Sequence, residues 1–77
     1  MSVLTAARAV LDEASGPLAP DAIYREMAAR GLWHNPHAHP EATVAAAIRS
    51  DIGRRRGDSA FRSAGPGAFA TRPAGRR

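Results

Sequence analysis

Near the start of the chain, apolar residues recur at steps of three and four, the spacing of a helix with one buried face. They are Val3, Leu4, Ala7, Val10, Leu11 and Ala14. Ser2 is placed to cap this helix through its hydroxyl. We expect residues 15–17 to end it, because Gly16 can adopt a left-handed conformation and Pro17 cannot extend a helix. Residues 17–19 leave room only for a strand stub.

A second helix is predicted to begin at Pro20, because proline suits the first turn of a helix. Ile23 and Met27 supply its inward face, and Gly31 is expected to end it. Leu32 and Trp33 follow directly and are expected to close one end of the core. The short connection between the two patterns indicates that the first and second helices pack closely.

Pro40 opens a third helix, which is expected to end at Gly53 or to persist to Gly57. Its inward stripe carries Asp51 and four apolar residues: Val44, Ala47, Ile48 and Ile52. Its outward stripe carries small and polar residues: Thr43, Ala46, Arg49, Ser50 and Gly53. The third helix therefore has one face for the core and another for solvent or a partner.

Residues 59–64 and 68–72 alternate in the manner of strands and flank the turn sequence Gly65-Pro66-Gly67. A three-residue connection would pair Ala64 with Ala68, place Phe61 opposite Thr71 and place Ser63 opposite Phe69. Both phenylalanines then lie on one face of the hairpin, as diagonal neighbours. Arg62 and Arg72 lie together on its other face. This agreement of parity predicts a hairpin with one buried and one exposed face.

The order of elements predicts an α+β fold, a winged helix-turn-helix with three helices and a short two- or three-stranded antiparallel sheet. Residues 1–72 form the domain, and residues 73–77 read as a disordered basic tail. A chain of 77 residues has room for one core but not for a deep substrate cleft as well. It has no cysteine, which excludes disulfides and thiolate zinc sites.

Charge separates the two halves of the chain. Residues 1–48 contain three arginines and five acidic residues, a balance of −2, whereas residues 49–77 contain eight arginines and two acidic residues, a balance of +6. This asymmetry indicates a polyanionic partner for the C-terminal half. Every lysine-or-arginine position is arginine, which suits phosphate but is also what the codon bias of a GC-rich bacterial genome produces.

Several short strings, in this order and spacing, resemble the HARE-HTH domain, a family that includes the N-terminal domain of the RNA polymerase delta subunit. The resemblance runs from about Leu4 to Ala70. The strings are Pro17-Leu18, Ile23-Tyr24, Arg30-Gly31-Leu32-Trp33, Pro40-Glu41-Ala42-Thr43-Val44, Asp51-Ile52, Ser59, Phe61, Gly65, Gly67 and Phe69. It implies a winged helix that reads DNA or chromatin, or that contacts the transcription machinery.

Two features depart from the family pattern. His39 stands where a threonine usually caps the third helix, and histidine is a weaker cap. The preceding loop carries three histidines (His34, His37 and His39), where glycine and lysine are commoner. The histidines could serve a metal, but a proline-broken loop does not hold them in place, so we expect a surface loop without a metal site.

The candidate DNA contacts lie on the third helix, after it and on the hairpin. Thr43, Arg49 and Ser50 are expected to approach the major groove, and Arg54, Arg55, Arg56, Arg62 and Arg72 are expected to contact phosphates. Only Arg49 on the outward stripe has the reach for bidentate contact with guanine, so weak sequence discrimination is expected. The arginine triplet also has a simpler interpretation, in which Arg55 pairs with Asp51 at the helix end.

Other residues have structural interpretations that we favour. Asp51 lacks a second carboxylate or a nucleophile–base pair nearby, so we expect it to hold local structure by pairing with an arginine or an amide. Tyr24 and Trp33 could stack on bases but are expected at the edge of the core. No catalytic constellation and no cofactor site is predicted.

The sequence therefore predicts a non-enzymatic module that binds double-stranded DNA and is associated with transcription. The alternative is an adaptor whose basic face docks on an acidic surface of RNA polymerase or of another protein. A cytoplasmic location is expected, with association with the nucleoid as a further option.

Overall fold

Three helices precede a two-stranded antiparallel ribbon in the computed structural model, which describes residues 2–36 and 38–72. The elements are α1 (Val3–Glu13), α2 (Pro20–Ala29), α3 (Pro40–Arg55), a 3₁₀ turn (Arg56–Asp58), β1 (Phe61–Ser63) and β2 (Phe69–Thr71). This architecture confirms the predicted α+β winged helix-turn-helix. Met1, His37 and the predicted tail at residues 73–77 lie outside the described residues.

The start of α1 is as predicted, but its end is not. The Ser2 hydroxyl accepts a hydrogen bond from the Thr5 amide at 3.2 Å and caps the helix. The helix ends at Ala14, whose backbone is extended (φ −75°, ψ 146°). Gly16 does not have a positive φ, so the expected left-handed conformation there is wrong. The extended exit at Ala14 already directs the chain towards Leu18, so no left-handed residue is needed.

The end of α2 confirms the role predicted for Gly31, whose φ is +67°. Its amide donates to the Ala28 carbonyl at 3.1 Å, and the Leu32 amide donates to the Met27 carbonyl at 2.9 Å. These two bonds form a Schellman motif, which satisfies the last carbonyls of the helix. The motif turns Leu32 and Trp33 back against the core, where both are half-buried.

The helix α3 continues past Gly53 and ends at Arg55, within the predicted limits. His39 precedes it without a capping hydrogen bond from its side chain. Arg56 then adopts φ +50° and ψ −120°, a conformation that an L-amino acid with a side chain rarely takes. The 3₁₀ turn that follows brings the chain to Ser59 and the ribbon.

The ribbon has the predicted register. Phe61 lies opposite Thr71 and Ser63 lies opposite Phe69, while the Ala64 amide donates to the Ala68 carbonyl at 3.0 Å. The regular strands are shorter than expected, three residues each. Leu18 forms the predicted stub, because it exchanges two backbone hydrogen bonds of 2.9 Å with Phe69. The bridge joins the α1–α2 connection to β2.

The core lies between the helices and the inner face of the ribbon. Its buried apolar residues are Ala6, Ala7, Val10, Leu11, Ile23, Met27, Val44, Ala45, Ile48, Phe61 and Phe69. On α3 the prediction is correct for Val44 and Ile48, but Ala47 and Ile52 are only half-buried. Ala45 takes the place of Ala47, because α1 and α2 both pack on α3 and widen its buried face. In the described parts of the chain, no helix is long and apolar enough to span a membrane.

Asp51 holds the end of α3 to the ribbon. Its carboxylate accepts a hydrogen bond of 2.7 Å from the Ser59 hydroxyl, which in turn accepts one of 3.1 Å from the Phe61 amide. Asp51 is 4% exposed and Ser59 is 1% exposed, so water does not replace these bonds. The expectation that Asp51 serves local structure is in agreement with this geometry.

Replacing Asp51 with alanine is expected to lower the free energy of unfolding by about 1.5–3 kcal/mol, because a buried hydrogen bond to a charged group is lost and Ser59 loses its acceptor. Urea denaturation measures the change. Asp58→Ala removes an exposed carboxylate nearby and should shift stability by less than about 0.5 kcal/mol. Equal losses in the two variants would contradict the role given to Asp51.

Candidate nucleic-acid interface

The exposed face of α3 is the first candidate surface. Thr43, Ala46, Arg49, Ser50 and Gly53 are all exposed, as the sequence predicts for the outward stripe. The helix has 16 residues, a length of about 24 Å at 1.5 Å per residue. A helix of this length with small side chains can enter the major groove of B-form DNA, which is about 12 Å wide.

Arg49 is held near the centre of this stripe. Its guanidinium carbon lies 5.5 Å from the centroid of the Phe69 ring, within the range of a cation–π interaction. Phe69 is fixed in the core, so it provides a rigid base for the long arginine side chain. Within residues 2–36 and 38–72, Arg49 pairs with no acidic side chain. Its donors therefore remain directed to the surface.

The arginine triplet is divided by Asp51. Arg55 Nε lies 2.9 Å from Asp51 Oδ1, and Arg54 Nη2 lies 4.0 Å from the same oxygen. The predicted pairing of Asp51 with Arg55 is thus present, alongside any role in phosphate contact. Arg56, at the end of the helix, is exposed and makes no ion pair among the described residues. One carboxylate offsets part of the triplet, and a positive surface remains.

Arg62 and Arg72 come together, as predicted, but away from the exposed stripe of α3. Side chains alternate along a strand, so Arg62 projects from the ribbon face opposite to that of the buried Phe61. Both arginines line a groove of about 450 Å³ between the ribbon, the C-terminal half of α1 and residues 14–17. Arg8 lines the same groove. The predicted phosphate contacts therefore fall on two surfaces.

The sequence analysis missed Arg8, because it lies in the half of the chain with net negative charge and its nearest acid, Asp12, is one turn away on the same helix. The two side chains form an exposed i,i+4 pair of 3.7 Å. The available signal was the outward position of Arg8 on α1. Only the packing of α1 against β2 brings it to the ribbon.

The histidine loop is organised around Tyr24. The Tyr24 hydroxyl lies 3.2 Å from His34 Nδ1 and donates to the Asn35 carbonyl at 3.3 Å. The Tyr24 ring also meets Trp33 edge-on, with centroids 6.0 Å apart, so both aromatics lie at the core edge as predicted. His39 lies beside Glu41 at 3.6 Å. His37 is outside the described residues.

Thr43 is linked to this loop. The Asn35 side-chain amide donates to the Thr43 hydroxyl at 3.4 Å, a long hydrogen bond. The first exposed turn of α3 is therefore in contact with the loop that precedes it. Groups of three or more residues of the metal-binding types His, Cys, Asp and Glu do not occur in the described parts of the chain.

The sequence model of the HARE-HTH family, whose description names an HTH domain of ASXL proteins and restriction endonucleases, matches residues 1–73. The match covers all three helices and the ribbon, together with both basic surfaces. A search of curated proteins and a search of solved structures gave no match.

Proposed function

Because the chain belongs to the HARE-HTH family, a helix-turn-helix family whose members generally bind nucleic acid, we propose that it is a module for binding double-stranded DNA. The family is not known for enzymatic activity. The proposed module acts by binding alone, in association with transcription. The observation that carries the proposal is the exposed stripe of α3, with Arg49 at its centre and Arg56 at its end.

Arg49 is the residue proposed to touch bases. It has five N–H donors in a fixed plane, which match the O6 and N7 acceptors of guanine. Thr43 and Ser50 flank it on the same exposed face and can donate to either bases or phosphates. One long donor among small neighbours supports contact with few base pairs. We therefore propose weak sequence discrimination.

Phosphate contacts supply most of the proposed affinity. Arg54, Arg55 and Arg56 extend the basic surface from the end of α3, and all three are exposed. Asp51 holds Arg55 in a defined position, which lowers the entropy lost when that guanidinium meets a phosphate. Arg62 and Arg72 border the other surface, so the proposal for DNA rests on α3 and the residues that follow it.

We expect titration with a short DNA duplex to shift the backbone amide resonances of residues 43–56 in two-dimensional NMR spectra. The amides of α2 serve as an internal control, because that helix carries neither basic surface. The titration is made at about 50 mM salt, where phosphate contacts are strong. No shift at this salt concentration, or shifts equal in α2 and α3, would overturn the proposal.

A further inference from the structure

The groove between α1 and the ribbon is a second basic surface. Three arginines from different elements border it: Arg8 of α1, Arg62 of β1 and Arg72, which follows β2. Asp12 is the one acidic residue in the lining among the described residues. Leu11, Pro17 and Ala70 contribute apolar surface. The groove thus combines excess positive charge with apolar walls.

Arg72 is fixed in this groove before any ligand binds. Its Nε donates to the Ser59 carbonyl at 3.0 Å, and its backbone amide donates to the Ala60 carbonyl at 2.8 Å. The two terminal nitrogens of the guanidinium remain for a partner. Opposite Arg62 on the ribbon stands Ala70, whose small side chain leaves space beside the guanidinium. A preorganised donor reduces the entropy lost on binding.

We propose that this groove binds a peptide segment of a partner protein in which carboxylates alternate with apolar side chains. Carboxylates pair with Arg62, Arg72 and, after displacement of Asp12, with Arg8. Apolar side chains of the peptide cover Leu11 and Pro17. The proposal goes beyond DNA binding by α3 and gives the domain a second partner on a separate surface.

The shape and charge of the groove favour a peptide over a nucleic acid. A volume of about 450 Å³ lies within the range of about 300–1,000 Å³ typical of pockets for small ligands and single side chains, and a duplex cannot enter it. Duplex DNA carries one negative charge per about 1.7 Å, so a continuous backbone would bring phosphates against Asp12. A peptide can place its carboxylates at the arginines and leave the surroundings of Asp12 neutral.

Fluorescence polarisation with a short fluorescein-labelled peptide, in which glutamates alternate with leucines, tests the proposal. We expect Arg62→Glu and Arg8→Glu each to weaken peptide binding by about tenfold, because a pairing charge becomes a repelling one. Arg25→Glu makes the same change of charge on α2, and Arg49→Glu makes it on α3. Both should bind the peptide within about twofold of the unchanged protein. Circular dichroism confirms that each variant is folded.

Three results would overturn the proposal. The first is that the unchanged protein binds the glutamate peptide no better than a matched glutamine peptide. The second is that Arg25→Glu weakens peptide binding as much as Arg62→Glu, which would mean that only net charge matters. The third is that Arg62→Glu impairs duplex binding as much as Arg49→Glu, which would assign the groove to DNA. Failure of duplex binding alone leaves the peptide result intact, so the two proposals fail separately.

Discussion

Replacing Phe69 with alanine is expected to lower the free energy of unfolding by about 3–5 kcal/mol. The ring is 2% exposed and fills the core beneath the ribbon. The backbone of Phe69 also bridges Leu18 through two hydrogen bonds, so a cavity here weakens the link between the ribbon and the helices. A domain of this size is stable by about 4–12 kcal/mol in all, at about 0.05–0.15 kcal/mol per residue. The variant therefore loses a large part of its stability.

Thermal unfolding followed by circular dichroism measures the effect, which should be a fall in melting temperature on the order of 20 °C. Ser63→Ala is the matched control, because Ser63 lies opposite Phe69 but is exposed. It should change the melting temperature by no more than about 4 °C. Phe69→Leu keeps most of the volume and should lose less than Phe69→Ala. An unchanged melting temperature in Phe69→Ala would show that the ribbon does not cover the core.

Replacing Arg49 with glutamate is expected to weaken duplex binding by at least about tenfold, because one donor to DNA is lost and a charge that repels phosphate is gained. If four arginines of the α3 surface neutralise phosphates, the logarithm of the association constant should fall against the logarithm of salt concentration with a slope near about −3.6. Arg49→Glu should reduce the steepness of that slope by about 1. Titrations between about 50 and 200 mM salt measure both quantities.

Arg49 is a better target than the arginine triplet. Reversing the charge of Arg55 would place a carboxylate beside the buried Asp51 and could unfold the end of α3. Arg49 is exposed and has no ion pair among the described residues, so its replacement leaves the helix intact. Arg25→Glu is the control with the same change of net charge. Equal loss of affinity in the two variants, or an affinity independent of salt, would contradict binding through α3.

The ribbon shows how much of this fold local sequence can carry. Alternation with a period of two, a turn with two glycines and two phenylalanines of matching parity leave one register that buries both rings. That register is the one observed. Gly65 and Gly67 both have positive φ, the conformation that such a turn demands. The exposed stripe of α3 was predictable for a similar reason, because helical periodicity separates its two faces.

The site was harder to predict, because pairing and convergence depend on distance in space. The sequence presented Arg54, Arg55 and Arg56 as one uniform cluster, whereas Asp51 pairs with two of them. It grouped Arg62 with the arginines of α3, whereas strand alternation and the packing of α1 place it in the groove with Arg8. Counting charge along the chain cannot reveal either result.

By itself, the sequence determined the three helices, the ribbon, its register and the outward stripe that carries Arg49, because each depends on a repeat along a few consecutive residues. The tertiary structure alone decided that α1 meets the ribbon and that Arg8 joins Arg62 and Arg72 around a second groove. Such a meeting is fixed by the packing of distant apolar faces into one core. The positive charge of the C-terminal half is therefore a property of the sequence, and its division between two surfaces is a property of the fold.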